Sequence, residues 1–304
     1  MAVLHTVWAE GFARCSRKTH TIWLKYNLKA AGRHHFSHLS TPAVSEAASA
    51  GARYRPEDIR FPAYRGHCAK ISVINGATTQ MLSSLLVHPA PTSAAQKYTR
   101  LASYSFLIES RHRLQKVLFD LAFMKDLFTR MPPALKAMLG GGPNAVDPVM
   151  KIENLCDIPD TLRAHGHDLA EISSIIWSHA HIDHVGDPSV FPPSTELVVG
   201  PGFKSNYIPG YPANPDGMVL DSAFLGRSVR ELEFGTENPA MENIGGFRAV
   251  DFWGDGSFWV LECPGHTGHH IGALCRTTPS SWVFMGADCC LEAKPVQATA
   301  TNSS

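Results

Sequence analysis

The sequence predicts a mixed α/β domain, and three observations carry the expectation. Short apolar, β-favouring runs recur along the chain and end in Gly, Pro or polar turn residues, as strands do. Between them lie stretches with apolar residues at helical spacing, notably Leu121 to Leu139. Several strand-like runs hand directly on to histidine or aspartate, so one sheet edge can collect polar side chains from distant segments.

The 304 residues, 44% of them hydrophobic and 18% charged, suit one large domain or two small ones with a substantial core. A formal net charge of zero leaves no electrostatic footprint for nucleic acid or an anionic membrane. No apolar run approaches the roughly 18 residues that span a bilayer. Neither nucleic acid nor membrane is therefore an expected partner. The 7 cysteines are odd in number, dispersed and without a C-x-x-C pair, which points to a reducing compartment and a cytoplasmic setting.

Residues 1–66 are expected to be an extension and linker. Arg14, Arg17, Lys18, Lys25, Lys29 and Arg33 stand against Glu10 alone in the first part, a composition like that of a mitochondrial transit peptide, with an uncleaved extension as the other reading. The domain is expected over residues 67–290, with a polar tail at 291–304. Ala69 to Val73 reads as a strand closed by an Asn75-Gly76 turn. Ser103 to Ile108 and Lys116 to Asp120 read as strands joined by a polar hairpin loop. Pro132-Pro133 should split the 121–139 stripe into two short helices, either plain core or the lip of an apolar pocket. Ile158 to His165 reads as a helix closed by Gly166, and Glu196 to Val199 as a strand. Tyr207 to Pro212 reads as an irregular loop. Phe247 to Phe252 and Ser257 to Glu262 flank the turn Gly254-Asp255-Gly256, and strands follow at Ile271 to Cys275 and Trp282 to Met285.

The chemistry is concentrated in Ser178-His179-Ala180-His181-Ile182-Asp183-His184, which follows the strand-like Ile175-Ile176-Trp177. Zinc takes imidazole nitrogen and carboxylate oxygen, so His179, His181, Asp183 and His184 form a dense set of candidate metal ligands at a strand end. Two later segments repeat the pattern. Pro264-Gly265-His266-Thr267-Gly268-His269-His270 and Gly286-Ala287-Asp288 each follow an apolar strand and add His266 and Asp288.

These residues resemble the metallo-β-lactamase superfamily over roughly residues 68–290, with the His-x-His-x-Asp-His, Gly-His-Thr-Gly-His and Gly-x-Asp segments in the family's order. Ile176-Trp177-Ser178-His179, Gly186-Asp187-Pro188-Ser189, Val199-Gly200-Pro201-Gly202-Phe203 and Gly254-Asp255-Gly256-Ser257 resemble a fungal branch close to the N-acyl homoserine lactonase type. The resemblance implies a four-layer αβ/βα sandwich with a zinc site at one edge. It implies that His179, His181 and His266 hold one zinc, that Asp183 and His184 hold a second, and that Asp288 bridges them. It implies hydrolysis of a small-molecule lactone or related cyclic ester or amide, in secondary metabolism or detoxification, since metal coordination lowers the pKa of water from 15.7 toward about 7. Asp183 would be the catalytic residue that handles the proton passed to the leaving alcohol. Tyr207 or Tyr211 would bind substrate by donating to the developing oxyanion.

One departure shapes the expectation. The family places a further histidine after the bridging aspartate, and none follows Asp288. The second half of the sandwich is thus expected to be incomplete, the chain shortened at its C-terminus, and the zinc count two or one. His269, His270, Cys289 and Cys290 are the alternative ligands, against a reading of both cysteines as small buried residues and of His269 as structural. The rival functions are a thioesterase acting on an acyl-carrier or glutathione thioester, and a degenerate metal-binding protein without activity.

Overall fold

The computed structural model describes the backbone of residues 3–6, and residues 60–86, 93, 97–140, 148–235 and 237–289. The remaining expectations for the N-terminal extension, the Gly-rich loop after Gly140, Cys290 and the 291–304 tail lie outside the described residues. Among the described residues no helix is long and apolar enough to cross a membrane.

Among the described residues, thirteen strands form two sheets. The first holds β2 (Ala69–Leu82), β3 (Tyr98–Ser110), β4 (Gln115–Phe119), β5 (Met150–Leu155), β6 (Ile172–Ile176), β7 (Glu196–Val199) and β8 (Val229–Glu231), in the order β5-β2-β3-β4-β6-β7-β8. The second holds β1 (Val3–Thr6), β9 (Met241–Ile244), β10 (Phe247–Asp251), β11 (Phe258–Glu262), β12 (Ile271–Thr278) and β13 (Ser281–Met285), in the order β1-β13-β12-β11-β10-β9. In the first sheet β4, β6, β7 and β8 run parallel, so their C-terminal ends share one edge. Val117 to Phe119 in β4, Ile175-Ile176 in β6 and Leu197 to Val199 in β7 are covered on both faces, which is why these stretches read as apolar runs.

Side chains alternate across β4 as a pleated strand requires. Val117 and Phe119 face the second sheet and meet Phe258, Val260, Ile271 and Met285. Leu118 faces the other way, into a cluster with Ile158, Leu162, Phe203 and Phe224. Fully burying side chains of this kind stabilises by roughly 1.5–3 kcal/mol each. The helices are short: α1 (Ser83–Leu86), α2 (Leu127–Arg130), α3 (Pro133–Met138), α4 (Ile158–Ala164), α5 (Ile182–Val185) and α6 (Phe203–Tyr207). Asp157 caps α4 by accepting from the Asp160 amide at 3.0 Å. Proline does split the 121–139 stripe, since α3 begins at Pro133, and its apolar residues pack with Phe123, Met124 and Ile182.

Two features differ from the expectation. Asn75-Gly76 is not a turn: β2 continues through it with a bulge, where its register against β3 shifts between Asn75 and Ala77. Gly76 is there for close approach, because a Cβ at this position would lie 2.2 Å from Ala122 Cβ. Packing also begins ahead of residue 67. Phe61 stacks on Trp282 at 5.5 Å, and the buried Arg276 donates to the carbonyls of Pro62, Gly256 and Pro279 while lying 3.9 Å from the Trp282 ring centre.

Candidate metal centre

The strand ends of β4, β6, β11 and β13 deliver the site. Past β6, the Ser178 amide donates to Asp120 Oδ1 at 2.7 Å, and the Ser178 carbonyl accepts from the Ile271 amide at 2.9 Å. The start of the histidine run is thereby fastened to both sheets. His181 then caps α5, and Asp183 and His184 lie within this single turn. The Leu121 amide donates to the His184 carbonyl and the Gly186 amide to the Ala122 carbonyl, each at 2.8 Å, which ties α5 to the loop after β4. That loop holds Asp120 at φ +58° and Ala122 at φ +54°, and Ala287 beside Asp288 sits at φ +43°. Non-glycine residues adopt this left-handed region at a cost, and such positions cluster at functional sites.

Three ring nitrogens converge. His181 Nδ1 lies 2.9 Å from His179 Nε2 and 2.8 Å from His266 Nε2. Asp288 Oδ2 completes the group, 3.3 Å from His266 Nε2 and 3.8 Å from His179 Nε2. The other oxygen of the same carboxylate, Oδ1, faces His184 Nε2 at 3.4 Å, and Asp183 Oδ2 lies 3.5 Å from that nitrogen. The six residues named from the sequence thus form two donor groups that share Asp288. Donors around tetrahedral zinc at about 2.0–2.1 Å stand roughly 3.3–3.4 Å apart, a spacing the observed contacts bracket.

The electrostatics fit a cation. Burial, reinforced by neighbouring imidazoles, holds His179 far below the ordinary histidine pKa. Burial also lowers His181 and His266, so all three are neutral and offer lone pairs. Around His184 burial is overcome by Asp183, Asp288 and Asp120, which raise it well above the usual value. Burial works to raise Asp288, but His184 and His266 hold its carboxyl below the usual range. Three carboxylates around one imidazole are a surplus of negative charge that a divalent ion would neutralise.

Asp120 is the functional residue that the sequence reading missed. It is buried at 2% exposure, and His184 Nδ1 donates to its Oδ2 at 2.8 Å, which leaves Nε2 to face the donor group. The Ser178 hydroxyl also donates to Oδ2 at 2.8 Å and touches His179 Nδ1 at 3.0 Å. Its signal was available: a carboxylate directly after the apolar run of β4, the same pattern that drew attention to His266 and Asp288.

Of the alternative ligands, His269, His270 and Cys289 join neither group. His270 Nε2 accepts from the Asp288 amide at 3.2 Å. His269 packs edge-on against Phe203 and Tyr207, at 5.5 and 5.0 Å between ring centres. Cys289 packs against the apolar cluster on the outer face of the second sheet, near Cys263 and Phe284. Tyr207 stands beside His269, whereas Tyr211 is held through its backbone to Val219 and Asp221.

No family model matches the chain. It is 46% identical over 202 residues to a Penicillium brevicompactum protein named cytochrome P450 monooxygenase mpaDE′, covering 65% of this chain and 23% of that protein. It is 42% identical over 174 residues to a gamma-lactamase of Gibberella moniliformis, covering 57% of this chain and 69% of that protein. A solved N-acyl homoserine lactone hydrolase, with the product N-hexanoyl-L-homoserine at its catalytic metal centre, superposes with a TM-score of 0.51 at 16% identity, covering 73% of this chain and 76% of that one. This chain belongs to the metallo-β-lactamase superfamily of metal-dependent hydrolases, on its lactonase-like branch. It spans about a quarter to a half of the length of the first curated relatives it matches.

Proposed function

We propose that this chain is a zinc-dependent hydrolase that opens a lactone or a related cyclic ester or amide in the cytoplasm, as part of secondary metabolism. The observation that carries the reading is Asp288, whose two oxygens face two separate groups of metal-type donors. His179, His181, His266 and Asp288 would hold one zinc, and Asp183, His184 and Asp288 a second. When bound, zinc supplies water of lowered pKa and polarises a carbonyl oxygen. Asp183, half-buried beside His184, would carry the proton to the leaving group. Burial raises the Tyr207 phenol above its ordinary value, so its hydroxyl stays a donor for a developing oxyanion, with Tyr211 the second candidate.

Against the metal motif lies a narrow, apolar cleft with Met124, Leu127, Met131, Leu135, Ile182 and Met218 in its walls. The names of the gamma-lactamase and lactone-hydrolase relatives fit a cyclic amide or ester. The thioesterase reading calls for a basic patch at the mouth. The basic residues flanking the cleft, Lys125 and Arg130, are paired with Asp160 and Asp187.

The test is a panel of lactones, cyclic amides and thioesters offered to the purified chain and to His181→Ala. Ring opening that disappears in the variant is the expected result. Turnover of thioesters alone would overturn the lactone reading, and absence of both metal and turnover would favour the degenerate one.

A further inference from the structure

We propose that Cys263 and Cys289 form a thiol pair that hydrogen peroxide closes into a disulfide, linking the two segments of the second sheet that carry His266 and Asp288. Cys263 directly follows β11, three residues before His266, and Cys289 is the residue after Asp288. Their sulfurs reach one hollow on the outer face of that sheet. Ala273 pairs with Met285 across β12 and β13, and continuing this register sets Gly272 opposite Gly286. A Cβ on Gly272 would lie 3.3 Å from the Cys263 sulfur, and one on Gly286 would lie 2.9 Å from the Cys289 sulfur. The same two Cβ atoms would lie 3.2 and 3.0 Å from the two sides of one ring, that of Phe284. Neighbouring strands stand about 4.8 Å apart, so sulfurs seated over facing glycines are neighbours. A movement of the short turn Ala287–Cys289 brings them to the roughly 2.05 Å of a bond.

The two thiols differ in access. Cys263 is buried at 4% exposure, whereas Cys289 is partly exposed and meets the oxidant first. Peroxide turns the Cys289 thiol into a sulfenic acid and releases one water. The Cys263 sulfur then attacks that sulfur, the S–O bond breaks, and the hydroxyl leaves as a second water with the Cys263 proton. Two thiols have lost two electrons and two protons, and one peroxide has become two waters. Burial, and after it the nearby Cys289, push the Cys263 thiol up, so the closing step is slow and the pair answers sustained oxidant. In a reducing compartment thiol exchange reopens the bond. The link closes a loop of about 25 residues, which restricts the unfolded chain.

The experiment uses the full chain, reduced and then exposed to hydrogen peroxide. Free thiols are alkylated and linked peptides are located by tandem mass spectrometry. The expected product is a Cys263–Cys289 link, two hydrogens lighter than the reduced pair and reopened by dithiothreitol. It should persist in Cys290→Ser and vanish in Cys289→Ser. Gly272→Ala should suppress it while leaving every thiol in place, since the added methyl fills the hollow. Peroxide should also raise the urea midpoint of chelator-treated wild-type protein and leave that of Cys289→Ser unmoved. Cys289 oxidised only to its sulfinic acid, Cys289 linked to a different cysteine, or both thiols still free after sustained exposure would overturn the pair. Neither readout uses substrate or bound metal, so failure here leaves the hydrolase reading standing.

Discussion

Replacing Asp120 by asparagine tests the centre through a residue that touches no metal position. Asp120 accepts from the Ser178 amide at 2.7 Å, the Ser178 hydroxyl at 2.8 Å and His184 Nδ1 at 2.8 Å. Asparagine has the same shape and keeps the amide bond from Ser178 at its oxygen, but places an NH₂ group against His184 Nδ1. Two donors cannot face each other, so Nδ1 must become the acceptor and the ring proton moves to Nε2. That is the atom lying 3.4 Å from Asp288 and 3.5 Å from Asp183, and its lone pair is lost to the second donor group. Loss of such a partner costs about 10–100-fold in metal affinity, or roughly 1.4–2.8 kcal/mol. Metal-free stability should change less. Charge-assisted hydrogen bonds worth about 1.5–3 kcal/mol are weakened, but burial opposes the ionised carboxylate and raises its pKa, so the neutral amide recovers part of the loss. Competition against a chromophoric chelator measures the affinity, and urea unfolding of metal-free protein measures the stability. An unchanged second affinity in Asp120→Asn would refute the claim that this carboxylate sets the His184 tautomer.

Three further outcomes follow from the packing. Burial holds His269 down at about 4, whereas an unfolded histidine titrates near 6.5. Between those values the unfolded chain binds a proton that the folded chain refuses, so stability falls as pH drops through this window. His269→Gln should flatten that fall in urea unfolding of metal-free protein, and identical pH slopes would count against it. A Cβ at Gly200 would lie 2.0 Å from the His269 carbonyl oxygen, so Gly200→Ala should lower stability by roughly 1–3 kcal/mol and weaken zinc retention by shifting the His266 loop, as thermal unfolding and metal analysis would show. Arg276→Met removes the donor to three carbonyls and should cost roughly 2–4 kcal/mol. Limited proteolysis should then cut near Phe61, and an uncut variant of wild-type stability would show that Arg276 does not fasten this segment.

The central strands were legible because double-sided burial demands apolar runs, as at Ile175-Ile176 closing β6 and Phe258 to Leu261 in β11. Edge strands were not. In β5, Met150–Leu155, only Met150 is buried, and in β8 Val229, Arg230 and Glu231 are all partly exposed, so neither carries a clear hydrophobic signal. Asn75-Gly76 misled because local turn propensity yielded to thirteen residues of pairing between β2 and β3, with the bulge absorbing the mismatch. The helical stripe from Leu121 was displaced for a functional reason. The chain cannot enter a helix there while Asp120 and Ala122 hold positive φ to meet Ser178 and α5, so α2 begins only at Leu127.

The candidate metal ligands were legible for a different reason: their segments follow strand ends, of the parallel β6 in the first sheet and of β11 and β13 in the second. Applied to β4, the same rule leads to Asp120, and without Asp120 the orientation of His184 has no explanation. Sequence spacing does not show how the halves are held in register. Ser178 does this, with its amide donating to Asp120 beyond β4 and its carbonyl accepting from Ile271 at the start of β12. His179 and His181 come from the first sheet, while His266 and Asp288 come from the second. An ion bound by all four joins the two sheets directly, so metal affinity and closure of the sandwich are one linked equilibrium. Zinc should therefore raise the unfolding midpoint of the whole chain in a concentration-dependent way. A midpoint indifferent to zinc would mean that the four donors do not act together.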